Sequence, residues 1–186
     1  MKPFPYFLAC VLGAGLMASA AATEGDSAAL GLTPEQRAFF EKLQALCGAQ
    51  FMGRTVYPDE PGEPWQERLL AKVNRCEPEE VRIALSVGSD HSRTWIVRPT
   101  AQGLQLKHDH RYPDGRPHEV TNYGGTTRTA GTALAQSFPA DAHTAELLPE
   151  AASNQWFLSF DDSSQTLIYY LERHQQPRFR AVLERK

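Results

Sequence analysis

This chain has little cysteine and no strong excess of charge of one sign. Its 186 residues include three cysteines, and 19 basic residues stand against 22 acidic ones, a formal net charge of −3. A charge this close to balance gives no support to a nucleic acid or an anionic membrane surface as the partner. Cys47 and Cys76 also lack the paired spacing of a cysteine zinc site.

Long apolar runs are missing too, apart from one at the N-terminus. That run follows a positively charged residue, Lys2, and ends in small residues, Ala18-Ser19-Ala20 or Ala20-Ala21-Ala22. This is the pattern of a cleaved secretory signal peptide. It is too short for a transmembrane anchor, and Cys10 lies inside it, which argues against a lipoprotein anchor. We therefore expect a periplasmic or secreted protein with a signal peptide at 1–22, a disordered leader at 23–32 and one domain at 33–186.

Cys47 and Cys76 are the cysteines that remain after such cleavage. In an oxidising compartment, two cysteines most simply form one disulfide. Closing a loop of about 30 residues would stabilise the fold by about 3–4 kcal/mol. The alternative is two unpaired thiols.

Catalytic motifs are missing as well. Asp90, His91 and Ser92 are adjacent, so their side chains diverge, whereas hydrolytic triads assemble from separate segments. Gly124 and Gly125 do not lead from a strand into a helix, so they form no phosphate-binding loop. The sequence favours a non-enzymatic protein.

What the chain does have is a succession of short alternating runs. From Val81 to Val87, for example, apolar side chains alternate with polar or small ones, which predicts a half-buried strand. Before these runs, Thr33, Pro34 and Gln36 form the start signal of a helix that ends before Gly48. A further helical turn is expected at 141–148. The predicted strands lie near 51–57, 68–75, 80–87, 93–98, 103–111, 118–123, 131–138, 154–160, 166–172 and 178–184.

About ten sequential strands with short connections predict a mainly β fold. We expect an antiparallel up-and-down meander that closes into a β-barrel, with a short N-terminal helix, because closure removes the exposed edges of the sheet. An open sandwich is the alternative. A barrel of this size has room for a small ligand. The candidate ligand-binding residues are Trp95, Leu106, Trp156 and Tyr169, although simple core filling also explains such side chains.

Three histidines form the sharpest candidate site. Residues 112–115 read Tyr-Pro-Asp-Gly, a turn that would pair Tyr112 with Arg116 in a hairpin. In that register His110 lies opposite His118, and His108 lies opposite Val120, on the same face as two leucines. If that face points inward, His108, His110 and His118 could hold zinc or another transition metal. The alternative is a set of histidines at a solvated rim.

The segment from Phe39 to Arg54 resembles the opening of calycin-type barrels, the lipocalins and nitrobindins. In those proteins a short helix leads into a first strand with a glycine, an aromatic residue and a second glycine, and Gly48, Phe51 and Gly53 occupy comparable places. The mature chain is also similar to small secreted bacterial proteins with no assigned activity. The resemblance implies a secreted barrel. His174 is the nearest candidate for the haem-binding histidine of nitrobindins, but it lies in a predicted hairpin turn, so that role is not transferred to it.

These observations support three hypotheses of function. The first is a periplasmic or secreted, non-enzymatic barrel, expected to be a monomer, that binds a small, partly apolar ligand. The second is a metal-binding protein or metal-dependent enzyme that uses the three histidines. The third is an envelope interaction protein or inhibitor. Basic residues near the C-terminus suggest either an anionic partner or a solvated outer strand face: Arg173, Arg178, Arg180, Arg185 and Lys186.

Overall fold

Ten antiparallel strands follow one another around a nearly closed barrel. The computed structural model describes residues 31–58 and 64–186. The predicted signal peptide at 1–22 lies outside the described residues, as does most of the predicted leader. The strands are β1 (Gln50–Tyr57), β2 (Leu69–Glu77), β3 (Glu80–Val87), β4 (Asp90–Thr100), β5 (Gly103–His110), β6 (Tyr123–Thr126), β7 (Ala135–Pro139), β8 (Asn154–Asp161), β9 (Thr166–Arg173) and β10 (Gln176–Arg185).

In the described part of the chain, two α-helices accompany the strands, α1 (Pro34–Ala45) and α2 (Ala142–Leu147), with short 3-10 turns at Pro64–Gln66 and Pro149–Ala151. Both helices were predicted from the sequence. Neither of them, nor any other helix within the described residues, is long and apolar enough to cross a membrane.

Helix α1 begins where its sequence signal places it. The backbone N–H of Gln36 donates to the Thr33 hydroxyl at 3.3 Å, and the Gln36 side chain accepts from the Thr33 N–H at 3.1 Å, a complete capping box. Pro34 occupies the first turn, where its missing N–H has no consequence. The helix ends before Gly48, which has a φ of +83° that favours glycine.

The strands pair in sequence order, and β1 pairs with β10, so the sheet curls round on itself. Its two ends, β6 and β7, meet at a single bridge between Gly125 and Ala140. This close approach requires a glycine, because a methyl group on Gly125 would lie 1.9 Å from the carbonyl oxygen of Pro139. The seam is also held by Lys107, whose ammonium lies 2.6 Å from the Asp141 carboxylate. The meander is therefore a barrel, as predicted, rather than an open sandwich.

Helix α1 covers one end of the barrel. Its apolar face buries Phe39, Phe40 and Leu43. The Phe39 ring lies 5.9 Å from that of Phe160, near the end of β8. Gln36 donates to the Thr127 hydroxyl, just after β6, at 2.8 Å. The covered end is therefore the one where the even-numbered strands finish, and α1 leaves the opposite end of the barrel uncovered.

A disulfide fixes this arrangement. Cys47 follows α1 and Cys76 lies in β2, and the predicted bond between them is present with a Cα–Cα distance of 6.0 Å. It ties the end of the helix to the wall of the barrel. Leu32, at the end of the segment that the sequence assigned to a leader, also packs against the core.

Replacing Phe39 with alanine tests the role of α1 in closing the barrel. Phe39 is fully buried, and truncation of a buried phenylalanine typically lowers the free energy of unfolding by about 3–5 kcal/mol. Urea denaturation of the two proteins measures the difference. Glu41→Ala, an exposed position of the same helix, is the matched control. A loss below about 1 kcal/mol for Phe39→Ala would show that α1 does not contribute to the core.

Candidate functional site

A cavity of about 490 Å³ lies inside the barrel at the end opposite α1. Most of its wall comes from the second halves of odd-numbered strands and the first halves of even-numbered ones, such as Leu171 in β9 and Trp156 in β8. The lining is strongly aromatic, as expected for a site that takes an apolar molecule. The aromatic lining residues are Trp65, Trp95, Tyr123, Trp156, Tyr169 and Phe179.

Tyr169 forms the floor of this cavity. Its ring stacks on Trp95 of β4, with centroids 4.5 Å apart and an angle of 11° between the planes. Its hydroxyl lies 2.8 Å from Nε2 of His108 in β5. Because β9 lies across the barrel from β4 and β5 in the strand order, this one side chain joins the two sides of the barrel.

The direction of the hydrogen bond to Tyr169 follows from the other nitrogen of His108. Nδ1 lies 3.2 Å from the carbonyl oxygen of Tyr123. A carbonyl oxygen only accepts, so Nδ1 carries the proton and donates. In the neutral ring Nε2 then has no proton, so it accepts from the Tyr169 hydroxyl. The oxygen of Tyr169 keeps a lone pair with which it can accept a further hydrogen bond.

Burial keeps both members of this pair uncharged. Loss of water around the ring lowers the pKa of His108 from 6.5 to about 4, and the nearby Lys107 charge acts in the same direction, against the bond to the Tyr123 carbonyl. Burial also raises the pKa of the Tyr169 hydroxyl well above its usual 10.0. At neutral pH the floor therefore offers hydrogen bonds without charge.

The histidine hairpin forms at its tip in the predicted register. The Tyr112 N–H donates to the Arg116 carbonyl at 2.9 Å, which is the pairing that the turn sequence predicts. One step further, the rings of His110 and His118 stack with centroids 4.6 Å apart. The prediction that these two histidines face each other is confirmed.

Beyond His118 the predicted register is wrong. His108 pairs with Tyr123 rather than with Val120, and the predicted strand at 118–123 is replaced by β6, which begins only at Tyr123. The chain loops out between His118 and Tyr123. The Val120 N–H donates to the His118 ring at 3.1 Å, and Asn122 has a left-handed φ of 59°. Asparagine tolerates that conformation, and it is the one sequence signal that could have placed the break.

This loop separates the three histidines. His108 belongs to the cavity floor, His110 lies higher on the cavity wall, and His118 packs against His110 without lining the cavity. Among residues 31–58 and 64–186, no group of three or more histidine, cysteine or acidic side chains has the arrangement of a metal site. Metal binding by His108, His110 and His118 stays a prediction without geometric support.

Three of the four predicted ligand-binding residues, Trp95, Trp156 and Tyr169, line the cavity together. Leu106 is fully buried in the core and is not among the lining residues. Sequence reasoning missed Trp65, which lies in an irregular segment where no periodicity assigns it a face. Its ring packs at 5.3 Å on Phe179 and lies beneath the Arg93 guanidinium, 4.8 Å away.

Comparison with known proteins adds no family. No family model matches this chain, and no curated protein shows significant similarity to it. The ten-stranded barrel is consistent with a calycin-like architecture.

The state of His108 gives a pH prediction. The pKa of His108 is lower in the folded protein than the unfolded value of 6.5. Between pH 6.5 and about 4, the unfolded chain therefore binds a proton at this ring and the folded protein does not. As the pH falls from 6.5 to about 4 this histidine should reduce the free energy of unfolding by about 3 kcal/mol. Nitrogen-15 NMR at pH 5.5 should show its ring neutral, with the proton on Nδ1. The signal is assigned to His108 by its loss in the His108→Gln variant. A titration midpoint of the His108 ring above pH 6 would contradict the account.

The bridge itself is tested by Tyr169→Phe, which removes the hydroxyl and keeps the ring on Trp95. Nε2 of His108 then loses its donor inside the barrel, and the free energy of unfolding should fall by about 1–3 kcal/mol. Tyr170→Phe is the matched control, because the Tyr170 hydroxyl lies on the outer face and bonds to Glu172 at 3.1 Å. If urea denaturation shows that both substitutions lower the free energy of unfolding equally, the claim that the Tyr169 hydroxyl bridges the barrel is contradicted.

Proposed function

We propose that this protein is a non-enzymatic binding protein of the periplasm or the extracellular space, active as a monomer, and that it takes a small, partly apolar ligand into the cavity above Tyr169. The observation that carries the proposal is the aromatic cavity of about 490 Å³ at the end of the barrel that α1 leaves uncovered. That volume is within the range of small-molecule sites, roughly 300–1,000 Å³.

The lining supports a ligand with a flat apolar part. Trp95 and Tyr169 present a stacked pair at the floor, and Trp65, Tyr123 and Phe179 are half-buried, so part of each ring remains available above it. Aromatic faces pack well on flat apolar molecules. At the floor of the cavity, the acceptor oxygen of Tyr169 favours a ligand with an N–H or O–H group at its inner end.

The same floor supports binding rather than proton transfer. A general base or acid works best with a pKa near the working pH. The pKa of His108 is about 4 and that of Tyr169 is well above 10.0. The two groups are also bonded to each other, so they are suited to hold a neutral hydrogen-bonding group in place.

The proposed compartment rests on the signal-like N-terminal sequence and on the disulfide between Cys47 and Cys76. Such bonds persist in oxidising compartments and are rare in the cytosol.

Filling the cavity tests the proposal. Leu171 lines it from β9 and is half-buried, so Leu171→Trp should place an indole in the ligand space. The neutral fluorescent probe N-phenyl-1-naphthylamine should bind the native protein with a rise in emission, and the variant should bind it at least about tenfold more weakly, since about 1.4 kcal/mol of lost contact suffices for that change.

Ile168→Trp is the matched control, because alternation along β9 places this residue on the outer face. It should bind the probe as the native protein does. Probe binding that is absent in the native protein, or unchanged in Leu171→Trp, would contradict the proposed function.

A further inference from the structure

The geometry points to a ligand with a negative charge: we infer that the molecule bound in this cavity is an amphiphilic acid, with its apolar body above Tyr169 and its oxyanion held at the mouth by Arg173 and Arg178. The inference rests on the proposed function and specifies the ligand class for the same cavity. Both arginines belong to one hairpin, formed by β9 and β10, and both line the cavity.

A bulge directs Arg178 into the mouth. In a regular strand, Arg178 and Phe179 would point to opposite faces, yet both line the cavity. The register shifts between Pro177 and Phe179, which leaves Arg178 without a partner residue in β9. Proline has no N–H for a sheet bond and is found at such irregularities, and a bulge re-aims the side chain next to it.

Arg173 is oriented by a neighbouring strand. Its Nε donates to Oδ1 of Asn154 at 2.8 Å, and Asn154 is itself buried. This bond fixes the guanidinium while its terminal nitrogens stay available for an oxyanion, to which arginine can donate two parallel hydrogen bonds. Beyond it, His174 and Gln175 have φ values of 53° and 60°, a tight two-residue turn that keeps β10 close to β9.

The charges at the mouth are unequal. Among the described residues, no carboxylate lies within 4.0 Å of Arg173 or Arg178, whereas Arg93 forms an ion pair with Asp90. Within residues 31–58 and 64–186, the acidic residues that line the cavity are Asp109, which is paired with Arg111 at 2.8 Å, and the exposed Glu150. The chain has a net charge of −3, so the positive charge that the described residues gather at this opening is a local feature that favours an anion.

A pair of probes with the same rings tests the inference: 2-naphthoate, which carries a carboxylate, and 2-naphthamide, which is neutral. Binding is measured by quenching of tryptophan fluorescence. We expect the native protein to bind the acid about tenfold more tightly than the amide, near the lower limit of what hydrogen bonds to charged groups contribute. The preference should decrease as salt is added.

The double variant R173Q/R178Q should bind both probes with similar affinity, while its affinity for the amide stays at the native value. R178K, which keeps the charge, should retain most of the preference. The matched control is R180Q, on the same strand but outside the cavity lining, and it should behave as the native protein.

The results that would contradict the anionic ligand differ from those that would contradict the proposed binding function. Equal binding of acid and amide by the native protein, or a preference that persists in R173Q/R178Q, contradicts the anionic ligand and leaves the proposed binding function standing. Failure of both naphthalene probes and of N-phenyl-1-naphthylamine to bind overturns the proposed function, and the inference falls with it.

Discussion

The contact on which the site depends is the one that Tyr169 makes across the barrel. Its ring lies against Trp95 and its hydroxyl against His108, so a residue of β9 is fixed to β4 and β5 on the far wall. Helix α1 fills the space on one side of this contact with Phe39 and Phe40. The space on the other side stays open, and the cavity is therefore confined to the half of the barrel away from the helix.

The same contact also determines which polar groups lie at the inner end of the cavity. The Tyr123 carbonyl determines which nitrogen of His108 carries the proton, and the imidazole then determines that Tyr169 donates its own. The inner end of the cavity is thus a neutral acceptor. The outer end carries Arg173 and Arg178. A ligand that matches both ends has one orientation in the barrel, because reversing it would place an anion among buried, uncharged groups at a large desolvation penalty.

Local patterns predicted the fold class and most of the strands, but not the site. Alternation predicted strands such as β3, and the Thr33–Gln36 capping box predicted α1, because both signals lie within a few neighbouring residues. The bond between His108 and Tyr169 joins residues 61 positions apart, and no local pattern reports it. The prediction of the histidine hairpin assumed strict alternation up to and beyond Asn122, where the chain in fact turns. A cluster of three histidines was therefore expected, whereas His110 and His118 stack on each other and His108 faces Tyr169.

The central claim is that a flat apolar molecule occupies the space between the Tyr169 floor and the arginine-lined mouth. Crystals soaked with 2-bromonaphthalene test it most directly, because the anomalous signal of bromine locates the molecule independently of any assumption about its contacts. The account predicts a bromine peak inside the barrel, above the Tyr169 ring and beside Phe179. A bromine peak found only on the outer surface, with the space above Tyr169 filled by protein side chains, would contradict it.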